Sequence, residues 1–193
     1  EINEFLIQVY LTTRNYKAAL ISLDKIQNKD FRLKSAYQYI AYNRAVELSI
    51  TKKYESALEY FNKVYEYDFE PKLSALATYW KAEIYYNQGL YGKAISGYKK
   101  FLNSSKAYST GQYDNAYYGM AYAHFKQRHI PEALRDFRTY ITGKSKKSPE
   151  KVTDAYLRIA DCFLVSKAYT QAIEYYGKAL ESGRSEADNA LLQ

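Results

Sequence analysis

The chain has 193 residues, 28 Lys and Arg against 21 Asp and Glu, and 24 tyrosines beside only 8 Gly and 3 Pro. It is long enough to bury a real core in one domain or two, and its composition disfavours a disordered chain or a loop-rich β-sandwich. Charged residues interrupt every apolar run before the roughly 20 residues of a membrane-spanning helix, and a single cysteine, Cys162, leaves no partner for an internal disulfide.

The first segment, EINEFLIQVYL, has helical spacing, and RNYKAALISLDKI (14–26) follows it as an amphipathic helix. That second helix then returns as KKYESALEYFNKVY (52–65), LYGKAISGYKKF (90–101), HIPEALRDFRTY (129–140) and KAYTQAIEYYGKAL (167–180). The copies align on Ala19, Ala57, Ala94, Ala133 and Ala172, at intervals of 37–39 residues. A fixed period of this size means stacked supersecondary units. One residue after each alanine stand Leu20, Leu58, Ile95, Leu134 and Ile173; four after stand Leu23, Phe61, Tyr98, Phe137 and Tyr176. Three before stand Tyr16, Tyr54, Tyr91, Ile130 and Tyr169, which completes one face of a 3.6-residue helix.

A first helix precedes each of these. Twelve residues before the alanines lie Ile7, Ala45, Ala82, Ala121 and Ala160; nine before lie Tyr10, Leu48, Tyr85, His124 and Phe163. Small residues at matched places on two helices let the backbones approach, while large neighbours fill the space beside them. Gly89 and Gly143 stand where C-caps belong, and Ser148-Pro149 reads as an N-cap followed by proline in the first turn. Ser185 and Asp188 have capping-box-like spacing, so a sixth unit is expected to open near the end, and the chain reads as a piece of a longer array. The expected units are 1–29, 30–68, 69–105, 106–146, 147–183 and a partial 184–193.

These residues resemble the tetratricopeptide repeat (TPR) family, whose unit is a helix–turn–helix with a small residue in the first helix and an alanine in the second. The resemblance covers essentially the whole chain. Its period exceeds the family's 34 or so residues, Ile7 departs from the small-residue column, and only Pro71 answers the family's terminal proline. An armadillo-like array would fit the period and leave the alanine column unexplained. The resemblance implies an all-α, right-handed superhelical solenoid of antiparallel helix pairs whose first helices line a concave groove. The chain also resembles long repeat proteins of bacterial cell envelopes; envelope, periplasm and cytoplasm all stay open as locations.

Chemistry is sparse. His124 occupies a column otherwise filled by large apolar and aromatic residues, so it reads as a core histidine with one hydrogen bond. His129 opens a helix without an obvious partner, and Cys162 beside Phe163 reads as a buried, inert thiol. There is no glycine-rich phosphate loop, paired-cysteine spacing or nucleophile motif, and carboxylates are scattered. The reading is a non-enzyme without cofactor, metal or small-molecule substrate.

The groove is the better lead. Fifteen, eleven and eight residues before the alanines, the middle repeats place Tyr42, Tyr79, Tyr118, Glu83, Tyr122 and Tyr86 on one face, with Asn87 and Lys126 near them; Glu4, Gln8 and Leu11 are the first unit's counterparts. Tyrosine offers large contact area at low entropic cost and a hydroxyl for a peptide backbone. The expected function is a scaffold that holds a partner protein or peptide there. The carboxylate clamp of chaperone cofactors in the family is not expected, since Tyr42 and Tyr79 stand where cations would. Residues 126–151 form a basic stretch of net charge +5, with Lys126, Arg128, Arg135, Arg138, Lys144, Lys146, Lys147 and Lys151. The alternatives are nucleic-acid or anionic-surface binding through that stretch, or an assembly and spacer module. The stretch reads mainly as a solvated helix face plus a flexible loop, and nucleic acid is not the expected partner.

Overall fold

The computed structural model describes residues 15–191, with side chains through residue 183. Expectations for Glu4, Ile7, Gln8, Tyr10 and Leu11 lie outside the described residues. Nine α-helices and no strand occur among the described residues: α1 Tyr16–Asp24, α2 Phe31–Ile50, α3 Tyr54–Lys63, α4 Pro71–Asn87, α5 Tyr91–Leu102, α6 Tyr113–Lys126, α7 Ile130–Thr142, α8 Pro149–Val165 and α9 Tyr169–Leu191. A 3₁₀ turn, Tyr108–Thr110, links α5 to α6. The pairs α2/α3, α4/α5, α6/α7 and α8/α9 are helix hairpins, and α1 packs on α2 as the second helix of the unit before them.

The alanine columns close the pairs. Ala45, Ala82, Ala121 and Ala160 on the first helices are fully buried, as are Ala57, Ala94 and Ala133 on the second, with Ala172 nearly so. Phe61, Tyr98, Phe137 and Phe101 fill the space beside them, each ring contributing about 2–3 kcal/mol by burial. The core is a chain of clusters along the stack, with Trp80 shared between the first two and Tyr117 between the last two. Stability is therefore spread along the array.

Each hairpin turns the same way. Five residues before the alanines, Lys52, Gly89, Arg128 and Lys167 have φ of 58°, 74°, 60° and 59°. The amide of the next residue then reaches back five positions, as in Lys53 N–H to Leu48 O at 2.8 Å and His129 N–H to His124 O at 3.0 Å. This is the Schellman closure, for which glycine is the usual residue. Gly143 is different. Its backbone is extended, with φ −61° and ψ 156°, and a Cβ there would collide with the Asp114 carboxylate. It is small to admit that side chain, not to adopt a left-handed turn.

Connectors between repeats are tied by a column nineteen residues before the alanines. Gln38, fully buried, accepts from Glu70 N–H at 2.8 Å and donates to Ser74 Oγ at 3.2 Å. Asp114 accepts from Ser145 N–H at 2.9 Å, from the Ser145 hydroxyl and from Lys147 Nζ. The segment expected as a flexible loop is thus anchored on a carboxylate some thirty residues upstream. Ser148 caps α8 as expected, accepting from Lys151 N–H. Ser185 opens no separate helix, because α9 runs unbroken from Tyr169 to Leu191.

Candidate functional site

The faces of α2, α4, α6 and α8 form a row, and tyrosines cross from one first helix to the next. Tyr42 Oη accepts from Trp80 Nε1–H at 3.1 Å. Tyr86 meets Tyr122 with ring centroids 6.5 Å apart. Tyr118 and Tyr122 both donate to Asp154 Oδ2, at 2.7 and 2.5 Å, so two hydroxyls on α6 grip one carboxylate on α8. Burial, then hydrogen bonding to Asp154, raises both phenols well above the ordinary tyrosine value. Lys151 lies over the Tyr118 ring and donates to Asn115 Oδ1 at 3.0 Å.

Second helices lean over the same face. Tyr98 donates to Glu83 Oε1 at 2.6 Å, and Tyr176 donates to Asp161 Oδ1 at 2.7 Å, both across fifteen residues. In repeats two and four the same positions are Phe61 with Val46 and Phe137 with Tyr122. A phenol therefore stands opposite a carboxylate, and a phenyl ring opposite an uncharged side chain. Burial raises the Glu83 carboxyl above its ordinary range, while the Tyr98 and Tyr79 hydroxyls and the Lys151 charge pull it back. Gly119 is required beneath this contact, since a Cβ there would run into Tyr98 Oη.

Of the expected groove residues, Tyr42, Glu83, Tyr86, Tyr118 and Tyr122 are half-buried, and Asn87 and Lys126 are exposed. Tyr79 is a correction. It is 6% exposed and stacks against Trp80, Tyr98 and Phe101 at 5.4–6.2 Å, because α5 leans over it; it is core. Asp154 and Arg158, which bonds Asp161 at 2.6 Å, join the face although the sequence singled out neither. Position along α8 could have suggested Asp154; only the tyrosine contacts across to it give it meaning.

The basic stretch is partly consumed by the fold. Arg135 Nε bonds the buried Asp136 at 2.9 Å, and Arg138 lies 5.1 Å from the Phe163 ring centroid. Lys147 is a second correction, since its side chain is only 9% exposed and its ammonium sits on Asp114 and the Gly143 carbonyl. Arg128 is the left-handed turn residue, and Lys144 and Lys146 are exposed. His124 is buried, but its ring nitrogens make no hydrogen bond; Nε2 lies 3.8 Å from Asp136 Oδ2, and His129 stacks at 5.7 Å. Burial pushes the Cys162 thiol up to about 12. Among the described residues no metal-binding group of His, Cys, Asp and Glu occurs, and no helix is long and apolar enough to cross a membrane.

Paired antiparallel helices closed by alanine columns and stacked through tied connectors define a TPR-like solenoid. The tetratricopeptide repeat family model matches residues 51–116 and 118–187, and the chain belongs to that family. Among solved structures it is similar to BtubC from P. vanneervenii, with TM-score 0.71 and 10% identity over 96% of this chain and 80% of that one. It is also similar to MamA from Desulfovibrio magneticus RS-1, with TM-score 0.63 and 16% identity over 95% and 94%. A third is YrrB, described as a TPR protein with an unusual peptide-binding site, with TM-score 0.62 and 14% identity over 91% and 82%. No curated protein matches.

Proposed function

We propose that the chain is a protein-interaction scaffold whose first-helix face takes an extended or helical segment of a partner protein. The observation that carries this is the row of half-buried tyrosines Tyr86, Tyr118 and Tyr122, the last two tied to Asp154 and the first packed on Tyr122, flanked by exposed Asn87 and Lys126. Rings held in place before binding lose little entropy on contact, which favours affinity. The peptide-binding site of YrrB lends support at the level of fold.

The test compares Tyr86→Ala and Tyr122→Ala for melting and for binding of a partner recovered by crosslinking to the intact protein. Loss of about 1–2 kcal/mol in binding with a modest change in melting supports the groove. Unchanged affinity in both variants refutes it. A second reading, assembly with further helices, draws on Ile173. Its counterparts Leu20 and Ile95 are buried by the next unit, whereas Ile173 is 72% exposed, with Leu180 at 65%. Concentration-dependent association lost in Ile173→Lys would favour that reading.

A further inference from the structure

Away from the tyrosine row, α4 has a second face. Lys81 is two residues from both Tyr79 and Glu83, roughly 200° around the helix. There α4, α5 and the turn after α3 line an open cavity of about 440 Å³. Three ammonium groups, those of Lys81, Lys93 and Lys100, line it, with the Tyr65 and Tyr85 rings as walls and no acidic residue among the lining side chains. The lysines lie 5.5–6.0 Å from the ring centroids: Lys81 and Lys100 at Tyr65, Lys93 at Tyr85. Lys81 also donates to Asn62 Oδ1 at 2.7 Å. Burial, and then the nearby Lys100 charge, lowers the Lys81 pKa from its ordinary value, the mark of cations held close without a counter-charge.

The repeats explain the cavity. Three residues after the alanine, repeats two and five carry Tyr60 and Tyr175, rings that occupy this junction under Arg44 and Lys178. Repeat three has Gly97 and so no ring to fill the junction, and α5 lies close enough to α4 there that a Cβ would sit 2.8 Å from Ala82 Cβ. Repeat four has Asp136, and the equivalent cavity of about 420 Å³ is lined by that carboxylate, bonded to Arg135, and by Lys99. One junction supplies its own anion; the other has the cations and no anion.

We propose that the repeat-three junction binds a small phosphate-bearing anion, held by Lys81, Lys93 and Lys100 at the place where Asp136 stands in repeat four. A dianion offsets more of the three ammonium charges than a monoanion does, and the volume suits a small ligand. Free phosphate compounds and a phosphorylated side chain present the same group.

The experiment titrates the full chain with inorganic phosphate, pyrophosphate and a phosphoserine peptide at constant ionic strength, by calorimetry and by thermal shift. Saturable binding is expected, with Lys81→Gln and Lys100→Gln each weakening it about tenfold, the loss of one charge-assisted contact. Lys144→Gln should leave it unchanged. Unliganded melting of the two cavity variants should stay level or rise, which separates a binding role from a structural one. A stronger response to the peptide identifies a phosphorylated partner as the source, and a stronger response to pyrophosphate a free metabolite. Absence of saturable binding to all three probes at millimolar concentration overturns the proposal. So does binding that Lys81→Gln and Lys100→Gln leave intact.

Discussion

The third and fourth repeats build the same three-helix junction from opposite chemistry. Lys81, Tyr85, Ser96, Gly97 and Lys100 in one stand where Met120, His124, Arg135, Asp136 and Thr139 stand in the other. Both leave a cavity, yet only the fourth is neutralised from within. A repeat fixes the backbone cradle, and a handful of substitutions within it decides whether the cradle is filled, balanced or left charged.

Copying the fourth junction into the third is the harshest test. Gly97→Asp brings a Cβ against Ala82, so overpacking should cost about 1–3 kcal/mol, visible in urea melts, and phosphate binding should disappear. An unchanged midpoint would mean that the two cradles are equally roomy. The reverse change is milder. Asp136→Ala removes a buried carboxylate whose main partner, Arg135, is 62% exposed and can return to water. A loss of about 1 kcal/mol is expected in the same assay.

Acid should act on the fourth junction alone. Burial holds His124 below its ordinary value, although Asp136 pulls it back and Lys99 pushes it further down. Glu132 raises it and His129 lowers it. A depressed histidine stays neutral in the folded chain, so the stability it leaves intact above pH of about 6.5 is lost as pH falls below that value. Asp136→Asn should steepen this loss between pH 7.5 and 5.5, and His124→Gln should flatten it; identical pH profiles for all three proteins would contradict the assignment. The smallest effect belongs to the exposed rim. Lys100→Gln should shift unliganded stability by no more than about 0.5 kcal/mol, with a slight gain from relieved repulsion at Lys81.

Much of this was visible in the chain. The alanine columns announced which helix faces meet, and those alanines are among the most buried positions in the stack. Period and helix face do not report how far a neighbouring helix leans, and for that reason Tyr79 reads as groove and proves core while Tyr118, in the same column, stays half-buried. The anchoring of Lys147 joins α7's trailing loop to Asp114, a pairing that local spacing cannot show. Gly97 stood in plain view beside Tyr60 and Tyr175, but its meaning depended on the contact with Ala82.

The hairpin turns carry a mechanical consequence. Three of the four place a cation, Lys52, Arg128 or Lys167, in the left-handed region, at a strain of about 1–2 kcal/mol each relative to right-handed backbone. Each lies just past the carbonyl end of a first helix, where positive charge is favoured, and each is exposed. One edge of the stack is therefore studded with like charges whose separations change whenever the angle between repeats changes. Repulsion along that edge should then depend on the ionic medium. At low salt, where screening is long-ranged, mutual repulsion should open the solenoid along it; at high salt the array should relax and curl. Small-angle scattering across a salt series, repeated with glycine at the three positions, would read that dependence directly.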